Sequence, residues 1–135
     1  MAEHKLISLN DYEELAYRKL SKELADYVRA GAQDEITLRL NRSDFSDITV
    51  NPRIFRDVNT RNLSTTALGT PIALPIMITP AGGQMHLHSD GELATARAAD
   101  AHGTIYSTPT NSGKSLESIA KETTGPKWFQ MVQNG

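Results

Sequence analysis

A chain of 135 residues with a formal net charge of −2 and 39% apolar residues has the size and balance of one small globular domain. Fourteen basic residues stand against sixteen acidic ones, with no dense Lys/Arg cluster, which argues against a nucleic-acid partner. No apolar run reaches the length of a bilayer span, Met1-Ala2-Glu3-His4-Lys5 lacks the apolar core of a leader, and no cysteine is available for disulfides or thiolate zinc sites, so a cytoplasmic location is expected.

Leu9, Tyr12, Leu15, Ala16 and Leu20 recur at helical spacing, and Ser8 with Asp11 forms a capping-box pattern at the start. Ser21 interrupts this helix. Leu24, Tyr27 and Val28 then lead to Gly31, the expected left-handed stop. Tyr27 falls in the last turn, where its ring can pack or its hydroxyl can reach beyond the helix end. Asp34 and Glu35 suit the positive end of a third helix carrying Ile36 and Leu40, although Ile36, Leu38 and Leu40 also alternate like a strand. Phe45 to Val58 reads as β-rich, with Asn51-Pro52 as a turn or edge marker. Ser64 to Leu68 gives a short strand, with Gly69-Thr70-Pro71 as its turn; together these predict a small antiparallel piece.

Pro75-Ile76-Met77-Ile78-Thr79-Pro80 has the unalternating apolar run of a strand buried on both faces, bounded by prolines. Side chains then nearly vanish at Ala81, Gly82 and Gly83, so a ligand can approach their amides; a tight turn without a ligand would satisfy the same residues. Ser89 and Glu92 read as a capping pair for an alanine-rich helix from Leu93 to His102, stopped by Gly103. Thr104 to Thr108 is a strand ending at Pro109, followed by the loop Thr110-Asn111-Ser112-Gly113. Ser115 caps a short helix with Leu116, Ile119 and Ala120 on one stripe, and Trp128 to Val132 is a further strand.

Strand, helix, strand, helix, strand at this spacing predicts parallel strands joined by right-handed crossovers, with ligands beyond their carboxyl ends. Pro80 to Gly83, Pro109 to Ser112 and Gln130 would converge there. Gln130 follows an apolar strand, which argues against a merely solvated glutamine. His86, His88 and Asp90 supply too few spaced ligands for a metal site and read as loop residues.

Asp26-Tyr27 before Gly31-Ala32, Asp34-Glu35 with Thr37-Leu38, Asn41-Arg42 before Phe45, and Pro52-Arg53-Ile54 with Asp57-Val58 form an ordered set. Leu68-Gly69, Pro75-Ile76-Met77-Ile78 with Pro80, the segment Gly91-Glu92-Leu93-Ala94-Thr95-Ala96-Arg97-Ala98-Ala99, Gly103-Thr104 and Trp128-Phe129-Gln130 continue it. In this order and spacing the chain resembles the amino-terminal part of the FMN-dependent α-hydroxy acid oxidase/dehydrogenase family, which includes glycolate oxidase, lactate oxidase and lactate monooxygenase. An isopentenyl diphosphate isomerase-like barrel is disfavoured by the Asp34 to Phe45 motif.

The resemblance implies an α/β fold, a partial (β/α)8 TIM barrel comprising its first three parallel strands, preceded by N-terminal helices and a small β-hairpin. Residues 1–70 would be the helical and hairpin extension, and residues 71–135 the start of the FMN-binding barrel. It implies FMN as cofactor and hydride transfer from a small 2-hydroxy acid to flavin N5, giving a 2-oxo acid, within a homo-oligomer. Tyr27 looks like the tyrosine that binds the substrate carboxylate. Pro80, Ala81 and Gly82 look like the loop along the flavin, with the Gly82 amide toward N5, and Gln130 looks like the glutamine on the flavin pyrimidine edge. Pro109 stands where the family usually carries a serine against the flavin, Asn111 where an aromatic residue often lines the pocket, and Val132 where a tyrosine usually helps hold substrate. The family's base histidine, carboxylate-binding arginine and flavin-side lysine are expected outside this chain. A companion chain or further sequence would supply them; the alternative is a noncatalytic fragment or partner subunit. Either way, an open strand edge makes the chain by itself prone to aggregation.

Overall fold

The computed structural model describes residues 6–133, so the Met1–Lys5 segment, read above for its missing leader core, lies outside the described residues. Two compact units are formed, one up to Arg56 and one from Asp57 onward.

The first unit contains helices α1 (Leu9–Tyr17), α2 (Lys22–Arg29) and α3 (Ile36–Ser43). Ser8 caps α1 as expected: its hydroxyl accepts the Asp11 N–H at 3.3 Å while the Asp11 carboxylate accepts the Ser8 N–H at 2.7 Å. Ser21 both ends one helix and caps the next, accepting the Leu24 N–H at 3.2 Å. Arg42 of α3 reaches Glu13 of α1 at 2.7 Å, which joins helices distant in sequence.

Two expectations fail here. Gly31 is not a left-handed stop, because α2 closes at Ala30 in an extended conformation and the positive φ angles fall instead on Gln33 and Glu35. What the missing side chain at Gly31 permits is close approach: a Cβ there would lie 3.1 Å from Leu38 Cβ, and its N–H donates to Glu35 Oε1 at 3.0 Å. Phe45 to Val58 contains no strand; a short 3-10 turn spans Asp44–Asp47 and the remainder is irregular. Pro52 removes a donor from this stretch, and no second strand lies beside it to accept a ladder.

The second unit begins with a two-stranded antiparallel hairpin, β1 (Thr65–Ala67) and β2 (Thr70–Ile72), in the register Thr65↔Ile72 and Ala67↔Thr70. Its turn is Leu68-Gly69 and not Gly69-Thr70-Pro71. Both turn residues have positive φ, 46° and 81°, which matches the twist of a two-residue hairpin, and Thr70 and Pro71 already belong to the return strand.

Helix α4 (Glu92–Ala101), strand β3 (Tyr106–Thr108), helix α5 (Leu116–Glu122) and strand β4 (Lys127–Phe129) follow. Strands β3 and β4 pair in parallel, with Tyr106 opposite Lys127 and Thr108 opposite Phe129. Ala96 and Ala99 present small faces that let α4 approach β3, where they form a core with Tyr106 and the fully buried Ile119 of α5. The capping expectation at Ser89 is corrected: Gly91 is the N-cap and no side chain caps the helix. Ser115 does cap α5, accepting the Ser118 N–H at 3.2 Å. The last strand stops at Phe129 and does not run on to Val132.

Pro75 to Pro80 is not a doubly buried strand. Only Ile78 bridges to Tyr106, donating to the Ile105 carbonyl and accepting from the Ser107 N–H, each at 3.0 Å. The prolines at both ends cannot donate, which leaves a ladder of one rung, and Ile76 stays 63% exposed. The bridge is nonetheless parallel, so the segment runs in the direction of β3 and β4. The fold is therefore α/β, with short sheets. Among the described residues no helix is long and apolar enough to cross a membrane.

Candidate functional site

Ile78 faces Tyr106, and Tyr106 faces Lys127, all in parallel register. Counting two residues onward from each brings Pro80, Thr108 and Phe129 to one level at the carboxyl end of the sheet. Three connections leave from there: Pro80 to Gly83, Pro109 to Gly113, and the segment that starts at Gln130.

The connections touch and are laced together. A Cβ on Gly82 would lie 3.2 Å from the Asn111 carbonyl oxygen and 3.4 Å from its Cβ, so the absent side chain lets the first two loops meet. Thr110 Oγ1 donates to the Gln130 carbonyl at 2.5 Å and accepts the Val132 N–H at 2.9 Å, while the Gln130 N–H donates to the Thr108 carbonyl at 2.9 Å. These bonds fix the backbone of Gln130 and leave its side-chain amide exposed.

Among the described residues, the N–H groups of Ala81, Gly82 and Gly83 and the side-chain amide of Gln130 have no protein hydrogen-bond partner. Backbone donors aligned in a loop without side chains suit an electron-rich ring edge, and a carboxamide suits an edge that both donates and accepts. The residues present thus fit the flavin expected from the sequence. Ala81 and Gly82 are exposed and Pro80 half-buried. Pro109 is buried and has no hydroxyl to offer; Asn111 and Val132 are exposed beside it. Tyr27 belongs to the other unit, in the last turn of α2, with its side chain 76% exposed.

Behind the loops lies a buried polar layer that sequence reading missed. The Glu92 side chain, 0% exposed, accepts the Gly113 N–H at 3.1 Å through Oε1, which ties the second loop to α4. Its Oε2, the Tyr106 hydroxyl and Thr108 Oγ1 are buried without a hydrogen bond of good geometry. Burial first, then the Glu92 carboxylate, push the Tyr106 hydroxyl up, with Thr95 and Gln84 pulling it partly back. Gln84 donates through Nε2 to the Ala81 carbonyl at 2.9 Å, and its Oε1 accepts from the Thr95 hydroxyl. Glu92 had drawn notice only as a capping partner and as part of the Gly91 to Ala99 motif, because a carboxylate in the first turn of a helix reads as a solvated dipole partner.

His88 Nδ1 accepts the Asp90 N–H at 3.2 Å, and among the described residues no group of three His, Asp or Glu side chains is placed to hold a metal ion.

The profile of a family described as FMN-dependent dehydrogenase matches residues 16–135. Glycolate oxidase 3 of Oryza sativa subsp. japonica is 44% identical over 126 residues, covering 93% of this chain and 34% of that protein. Glycolate oxidase of Spinacia oleracea is 43% identical over the same share of each. Among solved structures, a soluble mutant of the membrane-associated (S)-mandelate dehydrogenase from Pseudomonas putida is 35% identical with a TM-score of 0.87, over 94% of this chain and 36% of that one. Mandelate oxidase with (S)-2-phenylpropionate is 36% identical with a TM-score of 0.84, over 93% of this chain and 37% of that one. The chain spans about a third of the length of the curated relatives it matches.

Proposed function

This chain belongs to the FMN-dependent dehydrogenase family, and from that premise we propose that it forms the flavin-contacting first part of a (β/α)8 barrel that oxidises a small 2-hydroxy acid. FMN, when bound, supplies the two-electron acceptor for a hydride from the α-carbon, and the substrate leaves as the 2-oxo acid.

The observation that carries the reading is the set of free donors at one sheet end: the Ala81, Gly82 and Gly83 amides beside the laced loop that presents Gln130. With FMN bound, the Gly82 N–H would serve flavin N5, where a fixed donor would stabilise the charge that reduction puts there. Pro80 and Ala81 pack along the ring system. Gln130 binds the pyrimidine edge, donating through its NH2 and accepting through its carbonyl oxygen. Pro109 supports the ring by contact alone. Tyr27 donates its hydroxyl to the substrate carboxylate. The proton of the substrate hydroxyl goes to a base outside residues 1–135, so no catalytic base is assigned here. A cytoplasmic homo-oligomer, completed by further polypeptide, is the assembly in which this takes place.

The test is anaerobic mixing of the FMN-loaded protein, completed by the polypeptide that carries the base, with glycolate, lactate or mandelate. Loss of the oxidised flavin's visible absorbance, with one equivalent of 2-oxo acid formed, is the expected result. Bound flavin that stays oxidised with every 2-hydroxy acid would refute the proposed reaction.

A further inference from the structure

We propose that Gln84 is a positioning residue that aims the Gly82 N–H, an inference that rests on the flavin assignment above. The Ala81–Gly82 peptide is planar and trans, so its carbonyl and its N–H point to opposite sides. Whatever holds the Ala81 carbonyl therefore sets the direction of the Gly82 N–H. In this structure the holder is Gln84 Nε2, 2.9 Å from the Ala81 oxygen.

The amide of Gln84 is itself oriented. A carbonyl can only accept, so the NH2 group must face Ala81, which leaves Oε1 for the hydroxyl of Thr95. Thr95 sits in the first turns of α4, half-buried, on a helix pinned to the second loop by Glu92. A directional relay thus runs from the helix–sheet layer to the peptide group that carries the Gly82 N–H. With no side chain at Gly82 and none beyond a methyl at Ala81, the loop has no other side-chain means of fixing that peptide.

The consequence is electronic and separable from binding. With Gln84 in place, the Gly82 N–H is held ready for the reduced ring; without it, the peptide can rotate and the donor is lost, while Gln130 and the remaining loop contacts still retain FMN. The substitutions are Gln84→Leu, which keeps the volume and removes the donor, and Thr95→Val, which is near-isosteric and frees the Gln84 amide to turn while also removing the longer Thr95 contacts to the Gly91 and Glu92 carbonyls.

Flavin content and reduction potential are measured on the FMN-loaded parent and both variants. The expected outcome is one FMN per protein throughout, with the potential moved to more negative values in Gln84→Leu and by a smaller amount in Thr95→Val. A potential equal to the parent's in either FMN-loaded variant overturns the inference. Loss of FMN from both variants, with the parent loaded, also overturns it, because Gln84 would then serve binding and not aim. A parent that takes up no FMN overturns the flavin assignment itself, and this inference with it.

Discussion

Ile119→Ala is the sharpest test of what holds the loop-bearing end of the sheet in place. Ile119 is 0% exposed and packs with Ala96, Ala99 and Tyr106 between α4, α5 and β3. The substitution removes three carbons; at about 0.8 kcal/mol per buried carbon that is about 2.4 kcal/mol of transfer free energy. The buried neighbours are two alanines and a tyrosine fixed in a strand, with the part-buried Ile78 and Leu93 packed against them, so relaxation is small and the residual cavity raises the total to about 3–4 kcal/mol. Leu116 is an internal control on the same helix. Its side chain is 46% exposed, and Leu116→Ala should cost about 1 kcal/mol or less. Trp128 is the only tryptophan of the chain and lies half-buried in β4, directly against β3, so its fluorescence reports on this layer during urea unfolding. With a slope of about 1.5 kcal/mol per molar urea, the midpoint for Ile119→Ala should fall by roughly 2–2.7 M and that of the control by less than about 0.7 M. Equal shifts for both variants would refute the placement of the core between these elements.

Asp100 offers a pH test. The Thr124 backbone N–H, opposed by burial and joined by the Gly125 N–H at 2.5 Å, holds its carboxyl below the usual aspartate range. A folded-state value below the unfolded one means that the contribution is complete above the unfolded value and is lost as pH falls through the folded one. Unfolding midpoints should therefore drop on acidification below about pH 4, and Asp100→Asn should flatten that part of the profile; an unchanged slope would remove Asp100 as its source. Thr110→Val deletes the bonds to the Gln130 carbonyl and from the Val132 N–H, worth about 0.5–1.5 kcal/mol each when well made, so FMN affinity measured by fluorescence quenching should weaken roughly 5- to 150-fold. Unaltered affinity would mean that Gln130 needs no such support. A Cβ at Gly113 would lie 2.3 Å from Met85 Cγ; Gly113→Ala should weaken FMN binding and Met85→Ala in the same chain should restore it, whereas a double variant no better than the single one would place the damage elsewhere.

What could be read in the sequence was set by local chemistry. Ser8 and Ser115 announced helix starts because a hydroxyl accepting an N–H three residues on needs nothing beyond its own turn, while Ser21, read only as an interruption, caps α2 in the same way. The small-residue loop after Pro80 was legible for the same reason, whereas Gln130, expected to be kept from solvent by its apolar strand, is exposed. Errors arose where the deciding partner is remote or missing. Ile76 to Ile78 has the composition of a buried strand, yet flanking prolines leave Ile78 as its one paired residue. Phe45 to Val58 is rich in β-formers but lacks a neighbouring strand. Gly31 looked like a stop, while its role is to let the backbone meet Leu38. The roles of Glu92, Gln84 and Thr95 were not legible because the Glu92–Gly113 bond and the Gln84–Thr95 pair join residues across connections that no periodicity encodes.

The central claim, that the carboxyl end of this sheet is a flavin-binding surface, is tested most directly by a native mass spectrum of the purified protein equilibrated with FMN. The account requires a mass increased by one FMN per polypeptide, together with any companion chain that completes the barrel. A spectrum in which excess FMN leaves every protein mass unchanged would contradict it.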